Sequence, residues 1–319
     1  MSEVGGKNAP VVSIATPSYN QGRFIEETIK SVISQEGDFY IEYIVMDGAS
    51  TDGSVEIIKK YGSLLESGEW PAKCLGIDYK WKSERDNGQA DAIKKSFDMA
   101  TGEVFAWLNS DDVYLPGAVK KALERLCEDP DLGMVYGKGY NVDEAGDILE
   151  ECPTRGFDIE GLAAFNFITQ PSVFFRKEAY LAAGGMDASL HYSLDLDLWV
   201  RIGRRYSVEY IEEFLSGARL HTGAKTVSKE HTLRCHEELL RTVARLYGRA
   251  PVNHVIGYCY ELVRGSTPAF LIRSRVAMPL VAAVALFISL FYYLWLNKGI
   301  RLADLKMINA ANIKGLLFG

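Results

Sequence analysis

The sequence predicts an α/β domain built on a mainly parallel sheet, followed by C-terminal helices that include an apolar, membrane-associated segment. Three observations carry this expectation. From Val11 onward, short β-branched or aromatic runs alternate with amphipathic stretches, the pattern of strands feeding helices into a sheet. Polar clusters gather directly after those runs, where open α/β sheets bind ligands. Near the end, Val276 to Leu296 runs 21 residues without a charge.

Val11 to Thr16 reads as the first strand. Phe24, Ile25, Ile29, Val32 and Ile33 then fall at helical spacing, so a helix of about four turns should follow the loop from Pro17 to Gly22. Ile41 to Met46 is a strand ending at Asp47, and after a Gly-rich loop Ser54 can cap a helix reaching Tyr61. Ile77 to Trp81 alternates like a strand, Gln89 to Ala100 has helical periodicity, and Val104 to Leu108 is a compact strand ending at Asn109-Ser110-Asp111-Asp112. Past Pro116-Gly117 a helix should run to about Cys127, then a strand near Met134 to Tyr140. Ser172 to Phe175 reads as a buried strand, Lys177 to Ala183 as a short helix stopped by Gly184-Gly185, and Asp195 to Arg204 as a helix. A long helix is expected from Ser228 to Tyr247, with Leu233, Leu239, Leu240, Val243 and Leu246 on one face.

The 319 residues suit one large unit with a C-terminal appendage. A formal net charge of -7 argues against nucleic acid as a partner, since phosphate neutralisation needs a basic face. Five scattered cysteines without a C-x-x-C pair suggest reduced, mostly buried thiols rather than disulfides or a zinc site. Met1 to Pro10 is polar and holds no recognisable secretory signal, so the bulk of the chain is expected in the cytoplasm.

The chemistry concentrates at the strand ends. Asp111 and Asp112 follow an apolar strand, and two carboxylates there suit a hard divalent cation, Mn²⁺ or Mg²⁺, that also holds phosphates. The plainer reading is that Ser110 and the aspartates cap the next helix. Two further polar clusters precede this one, Pro17-Ser18-Tyr19-Asn20 and Asp47-Gly48-Ala49-Ser50-Thr51-Asp52-Gly53.

Together with Ser83-Glu84-Arg85-Asp86-Asn87-Gly88-Gln89, and in this order and spacing, these stretches resemble a family 2 glycosyltransferase of the GT-A fold. The similarity covers about Val11 to Thr232. It implies a nucleotide-diphosphate-sugar donor, with Pro17, Ser18 and Tyr19 around the nucleobase and ribose and the Tyr19 ring stacking on the base. It further implies that Asp47 reads the uracil imide, which favours UDP, and that Asp86 belongs to the nucleotide site. Asp111 and Asp112 match the metal-binding pair, with Asp112 the direct ligand. The alternative for Asp47 and Asp52 is an Asx-turn role within their own loop.

Enzymes of this kind invert the anomeric centre, so a carboxylate must take the acceptor hydroxyl's proton. Ser193-Leu194-Asp195-Leu196-Asp197-Leu198-Trp199 resembles the stretch that supplies it. Residues two apart on a helix do not share a face. Asp195 is therefore the expected base and Asp197 a structural residue, expected in a helix-surface ion pair with Arg201. His221 resembles a loop histidine that completes the metal shell, with a hydrogen-bonded loop histidine as the alternative. His231 and His236 are read as surface residues and Gly137-Lys138-Gly139 as a strand edge.

The apolar run 276–296 is long enough for a hydrocarbon layer of ~30 Å. Tyr292, Tyr293 and Trp295 suit an interface, and Arg273, Arg275, Lys298 and Arg301 flank the run. Leu302, Leu305, Ile308 and Ile313 suggest a helix on the bilayer surface. The alternative is a helix buried in a subunit interface. The expected organisation is a flexible N-terminus (1–10), a glycosyltransferase domain (11–232), a helical linker (233–270) and a membrane-associated segment (271–319). The expected partners are a nucleotide-sugar donor, a lipid-linked or saccharide acceptor and a membrane at its cytoplasmic face, with self-association left open.

Overall fold

The computed structural model describes residues 9–223, 232–272 and 277–299, divided between two compact units. The first comprises Met1–Phe157, Phe167–Ser189 and Leu198–His221, and the second Asp158–Asn166, Leu190–Asp197 and Thr222–Gly319.

The first unit starts with β1 (Val11–Ser18), α1 (Ile25–Ile33), β2 (Gly37–Asp47), α2 (Ser54–Glu66), β3 (Cys74–Ser83), α3 (Gln89–Met99) and β4 (Val104–Trp107). Next come β5 (Val113–Tyr114), α4 (Ala118–Glu128), β6 (Leu132–Val142), β7 (Ile148–Glu151), β8 (Val173–Arg176) and α5 (Lys177–Ala182). Helix α6 (Leu194–Gly203) opens in the second unit's sequence and closes in the first's, and β9 (Ser207–Arg219) completes the sheet.

The strands lie in the order β3-β2-β1-β4-β8-β6-β9-β5, with β7 paired to β6. β3, β2, β1 and β4 are parallel; β8 is antiparallel to both of its neighbours, while β6 and β9 run parallel. The sheet is therefore a mixed α/β sheet whose parallel half carries the polar strand ends.

Strand periodicity decides which side chains meet which helices. Val12 and Ile14, Ile41, Tyr43 and Val45, and Val104 and Ala106 point to one face and join Ile25, Ile29, Ile58, Val119 and Leu126 of α1, α2 and α4 in one buried core. Burying each such side chain is worth about 1.5–3 kcal/mol. Phe105 and Trp107 point to the other face, where the Phe105 ring stacks on Phe97 of α3 at 4.7 Å and the Trp107 indole stacks on Trp199 at 5.0 Å.

Several expectations change in detail. α1 has nine residues rather than four turns, because Gln21 to Phe24 form a separate turn that precedes it. Ser54 is not a cap: the N-cap is Gly53 at φ 93°, and the Ser54 hydroxyl donates to Asp52 at 2.6 Å and accepts from the Gln21 N–H at 3.1 Å. Gly137 lies inside β6, not at an edge, and a Cβ there would meet the Glu213 carbonyl oxygen at 2.5 Å. The five thiols are free, but only Cys259 is buried and Cys127 is exposed.

The second unit holds α7 (Thr232–Tyr247), α8 (Val252–Gly265), α9 (Ala269–Ile272) and α10 (Ala277–Asn297). Its core joins Leu240 of α7, Val255, Ile256, Cys259 and Tyr260 of α8, and Ala282, Ala285 and Tyr293 of α10. Asn297 closes the arrangement by exchanging two hydrogen bonds with the Ala250 backbone, at 2.9 and 3.0 Å. His236 is packed rather than superficial: it sits against Gly257, and burial lowers its pKa. α10 is long and apolar enough to cross a membrane by length and composition. Its outward face carries Leu280, Val284, Phe287, Phe291 and Trp295, all exposed. Residues 1–8, the first residues of the long helix expected from Ser228, His231, Arg273, Arg275, Val276 and the stretch with Arg301, Leu302, Leu305, Ile308 and Ile313 lie outside the described residues.

Candidate active site

Asp47 closes β2 and is buried, and its carboxylate organises the loop that follows. Oδ2 accepts the Ser50 N–H at 2.9 Å and the Ser83 hydroxyl at 2.7 Å, and Oδ1 accepts the Ser50 hydroxyl at 2.5 Å. Asp52 makes turn contacts of its own, to the Gly22 N–H at 2.8 Å and to Ser54. The first two loops are laced together, since Asn20 accepts from the Thr51 N–H at 2.9 Å and donates its own N–H to the Ser50 hydroxyl at 2.8 Å. Ala49 between them has φ 65°, a left-handed conformation that stores strain of order 1 kcal/mol beside the strand end.

Gly48 shows how near the expected nucleotide residues are. A Cβ at this position would lie 3.0 Å from Asp86 Oδ2 and 3.3 Å from the Tyr19 ring, so this glycine lets the two side chains close on the backbone. Tyr19 is exposed, offering a free ring face, while Ser18 is buried and its hydroxyl has no hydrogen-bond partner among the described residues. Pro17 pairs in register with Met46 within the sheet. A Gly48→Ala substitution should crowd Tyr19 and Asp86 and so weaken the nucleotide binding expected of these residues by roughly fivefold to tenfold, about 1 kcal/mol, without lowering the melting temperature. Calorimetric titration of UDP beside a thermal melt checks both.

A run of side-chain amides joins this loop to the acidic pair. Asp86 accepts the Gly88 N–H at 2.9 Å; Gln89, the next residue, donates to Asn109 Oδ1 at 2.7 Å; Asn109 Nδ2 donates to Asp112 Oδ2 at 3.1 Å and to Gln170 at 3.0 Å. Asp112 is buried, and its other oxygen accepts the Arg219 N–H at 2.9 Å. Burial, and then the neighbouring charge of Asp111, push the Asp112 carboxyl well above the usual carboxylate range. The helix-capping reading of this pair does not hold, because α4 begins at Ala118 with Gly117 as its N-cap.

Arg219 is the organiser that the sequence left unmarked. Its guanidinium has no exposed surface and donates to the carbonyls of Asp111, Asp143 and Glu144 at 2.9–3.0 Å and to Glu27 at 2.6 Å. Two residues on, His221 Nε2 lies 3.0 Å from Asp111 Oδ2, and its ring packs 4.7 Å from Phe24. Asp111, Asp112 and His221 are thus brought together. No three His, Cys, Asp or Glu side chains among the described residues form a ready-made metal cage. The donor chemistry, carboxylate oxygens with one imidazole, is nevertheless of the kind a divalent cation takes, and each Asp112 oxygen keeps a second lone pair.

Asp195 belongs to the second unit, in the first turn of α6. Its Oδ2 accepts the Asn166 amide at 2.9 Å, and burial raises its pKa against the lowering effect of the Leu196 N–H, its own N–H and Asn166. Asp197 is structural but buried rather than at the helix surface, and it is paired with Arg245 of α7 at 2.8 Å.

The family model for glycosyl transferase family 2 matches residues 13–180, more than half of the chain. The chain belongs to that family. This glycosyltransferase is 28% identical over 223 residues to a glycosyltransferase of Methanocaldococcus jannaschii, a match covering 68% of this chain and 73% of the relative. Its structure is similar to S. aureus TarS 1–349, solved in complex with UDP-GlcNAc, with a TM-score of 0.57 at 14% identity over 88% of this chain and 81% of that one. It is equally similar to the mannosyltransferase PcManGT of Pyrobaculum calidifontis, solved with GDP-Man and Mn²⁺, with a TM-score of 0.57 at 17% identity over 97% and 85% of the two chains. These two likenesses establish the GT-A fold of this glycosyltransferase.

Proposed function

We propose that this glycosyltransferase moves a sugar, with inversion and metal assistance, from a UDP-linked donor to a hydroxyl of a lipid-linked or polysaccharide acceptor. The observation that carries the reading is the continuous hydrogen-bonded run from the Asp86 loop through Gln89 and Asn109 to Asp112, backed by Arg219. It ties the loop of Asp86, read as a nucleotide-site position, to the carboxylate pair read as the metal site.

Asp112 and His221 would hold the cation with Asp111 beside them, and a bound cation supplies positive charge to the departing diphosphate. Tyr19 stacks on the base, Asp47 accepts from the uracil imide, and Pro17, Ser18 and Asp86 line the nucleoside. In the reaction the acceptor oxygen bonds to the anomeric carbon, the bond from that carbon to the donor phosphate oxygen breaks, and the acceptor proton passes to Asp195. The outward apolar face of α10, flanked by interfacial aromatics, supports anchorage of residues 276–296 at the cytoplasmic face of a membrane.

Nucleotide release from a panel of UDP-, GDP- and dTDP-sugars, with Mn²⁺, with Mg²⁺ and with chelator, tests the proposal. Metal-dependent release from a UDP-sugar, lost in Asp112→Asn, is expected. Release that persists unchanged in chelator, or an unaffected Asp112→Asn protein, overturns the metal assignment.

A further inference from the structure

One face of α7 carries three polar side chains at helical spacing, Glu238, Thr242 and Arg245, and all three bind the segment that opens α6. Glu238 Oε1 accepts the backbone N–H groups of Tyr192 at 2.7 Å, Ser193 at 2.9 Å and His191 at 3.1 Å, and the Ser193 hydroxyl at 3.1 Å. Its Oε2 accepts the His191 N–H at 2.9 Å. One turn further along, the hydroxyls of Thr242 and Ser193 share a hydrogen bond of 2.8 Å. A turn beyond that, Arg245 donates to Asp197 Oδ1 at 2.8 Å, and the Asp197 side chain has no exposed surface.

Three successive backbone N–H groups converging on one oxygen form an anion-binding concavity, and here an anionic side chain from another helix fills it. The contact fixes three consecutive residues at the point where α6 begins and puts negative charge at a helix N-terminus, where the helix dipole favours it. The contacts also bracket Asp195. Ser193, two residues before it, is held by Glu238 and Thr242; Asp197, two residues after it, is held by Arg245; and Asn166 holds the Asp195 carboxylate itself. A helix turn gripped on both sides of one residue can neither roll nor slide without breaking charge-assisted bonds. α7 lies beyond the residue-180 limit of the family match.

We propose that Glu238, Thr242 and Arg245 form a positioning stripe that sets the placement of the Asp195 carboxylate. The inference rests on the reading of Asp195 as the proton acceptor. Glu238 is a positioning residue, because it acts through the first turn of α6 and not on substrate. A misplacement of about 1 Å at a reacting group can lower turnover by on the order of a hundredfold, so loss of the stripe should appear in kcat while nucleotide affinity holds.

The test uses the full chain and the sugar nucleotide that the wild type turns over fastest in the UDP-, GDP- and dTDP-sugar panel. Glu238→Ala, Glu238→Gln, Thr242→Val and Asp195→Asn are compared for kcat, for donor KM and for amide hydrogen exchange of residues 191–196. Glu238→Ala should lower kcat by roughly ten- to a hundredfold with donor KM within about twofold, and exchange in 191–196 should speed up. Glu238→Gln keeps an oxygen where Oε1 accepts and should restore most of the turnover. Thr242→Val, nearly the same shape without the hydroxyl, should lower kcat severalfold, and it carries the test if Glu238→Ala fails to fold. If Asp195→Asn is inactive while Glu238→Ala and Thr242→Val keep wild-type kcat, the stripe is overturned. If Asp195→Asn retains full transfer, the reading of the base fails, and the stripe's role fails with it.

Discussion

Replacing Asp195 with Asn should reduce kcat by about 10²–10⁴-fold while leaving donor-nucleotide affinity unchanged, the loss expected on removing the proton acceptor proposed above. Asn has nearly the shape of Asp and can still accept from Asn166, so the fold around α6 should survive. The pH dependence adds a second signature. Burial raises the Asp195 carboxyl above the usual carboxylate range, and only the anion can accept the proton. The wild-type rate should therefore fall as pH drops through a value above about 4, the ordinary aspartate range. Stability follows the opposite sense: a carboxyl whose pKa is raised by folding favours the folded state fully below its unfolded pKa and loses that contribution as pH rises through the folded value. Asp195→Asn should accordingly melt higher than the wild type at about pH 8, with the difference closing toward about pH 4. Rate profiles and thermal melts over that range check both signs, and a melting difference that grows on acidification would contradict the account.

Arg219→Ala should be strongly destabilising, by on the order of 3 kcal/mol, with activity lost beyond what unfolding explains. The side chain is fully buried and serves three carbonyls and Glu27, so its removal strands several acceptors and leaves a void. Glu27 is half exposed and can find water, which keeps the estimate at the lower end for a broken buried pair. Because the guanidinium also holds the Asp111 carbonyl oxygen, the acidic pair should lose part of its placement too, even though residue 219 keeps the backbone N–H that Asp112 accepts. Chemical denaturation gives the stability difference, and UDP titration with and without Mn²⁺ in the folded fraction gives the effect on the site. Arg219→Lys should recover little, since an ammonium cannot spread its donors over the same fork of acceptors.

The sheet is legible in the sequence because its two sides are decided by alternation: Val12 and Ile14, like Tyr43 and Val45, fall at every second position and so share a face. The acidic pair and the three polar loops are legible because glycine, aspartate and serine after an apolar run have few other uses. Long-range partnership is not. Nothing local marks Arg219 as the residue that closes around carbonyls from two distant loops, or Gln89 and Asn109 as a bridge, since those contacts join positions 20 and more than 70 residues apart. For Asp197, helix spacing separates it from the face of Asp195 and offers a neighbour on its own helix, but does not reveal Arg245, a partner 48 residues on. β2, β3 and β6 extend past the expected spans because the ends of strands are set by pairing in register with neighbours that composition does not reveal.

The joint burial of Leu240, Val255, Ala285 and Tyr293 changes what it means to remove the end of this chain. α10 is a wedge and not a loose end, seated by Ala282 and Ala285 and latched by Asn297 to the start of α8. Cutting before residue 277 would strip one wall from the small core that steadies α7, and solubility gained that way would come with a loosened helix. A water-soluble form is better sought by exchanging the outward residues Leu280, Val284, Phe287, Phe291 and Trp295 for polar ones, which leaves the inward side of the same helix in place.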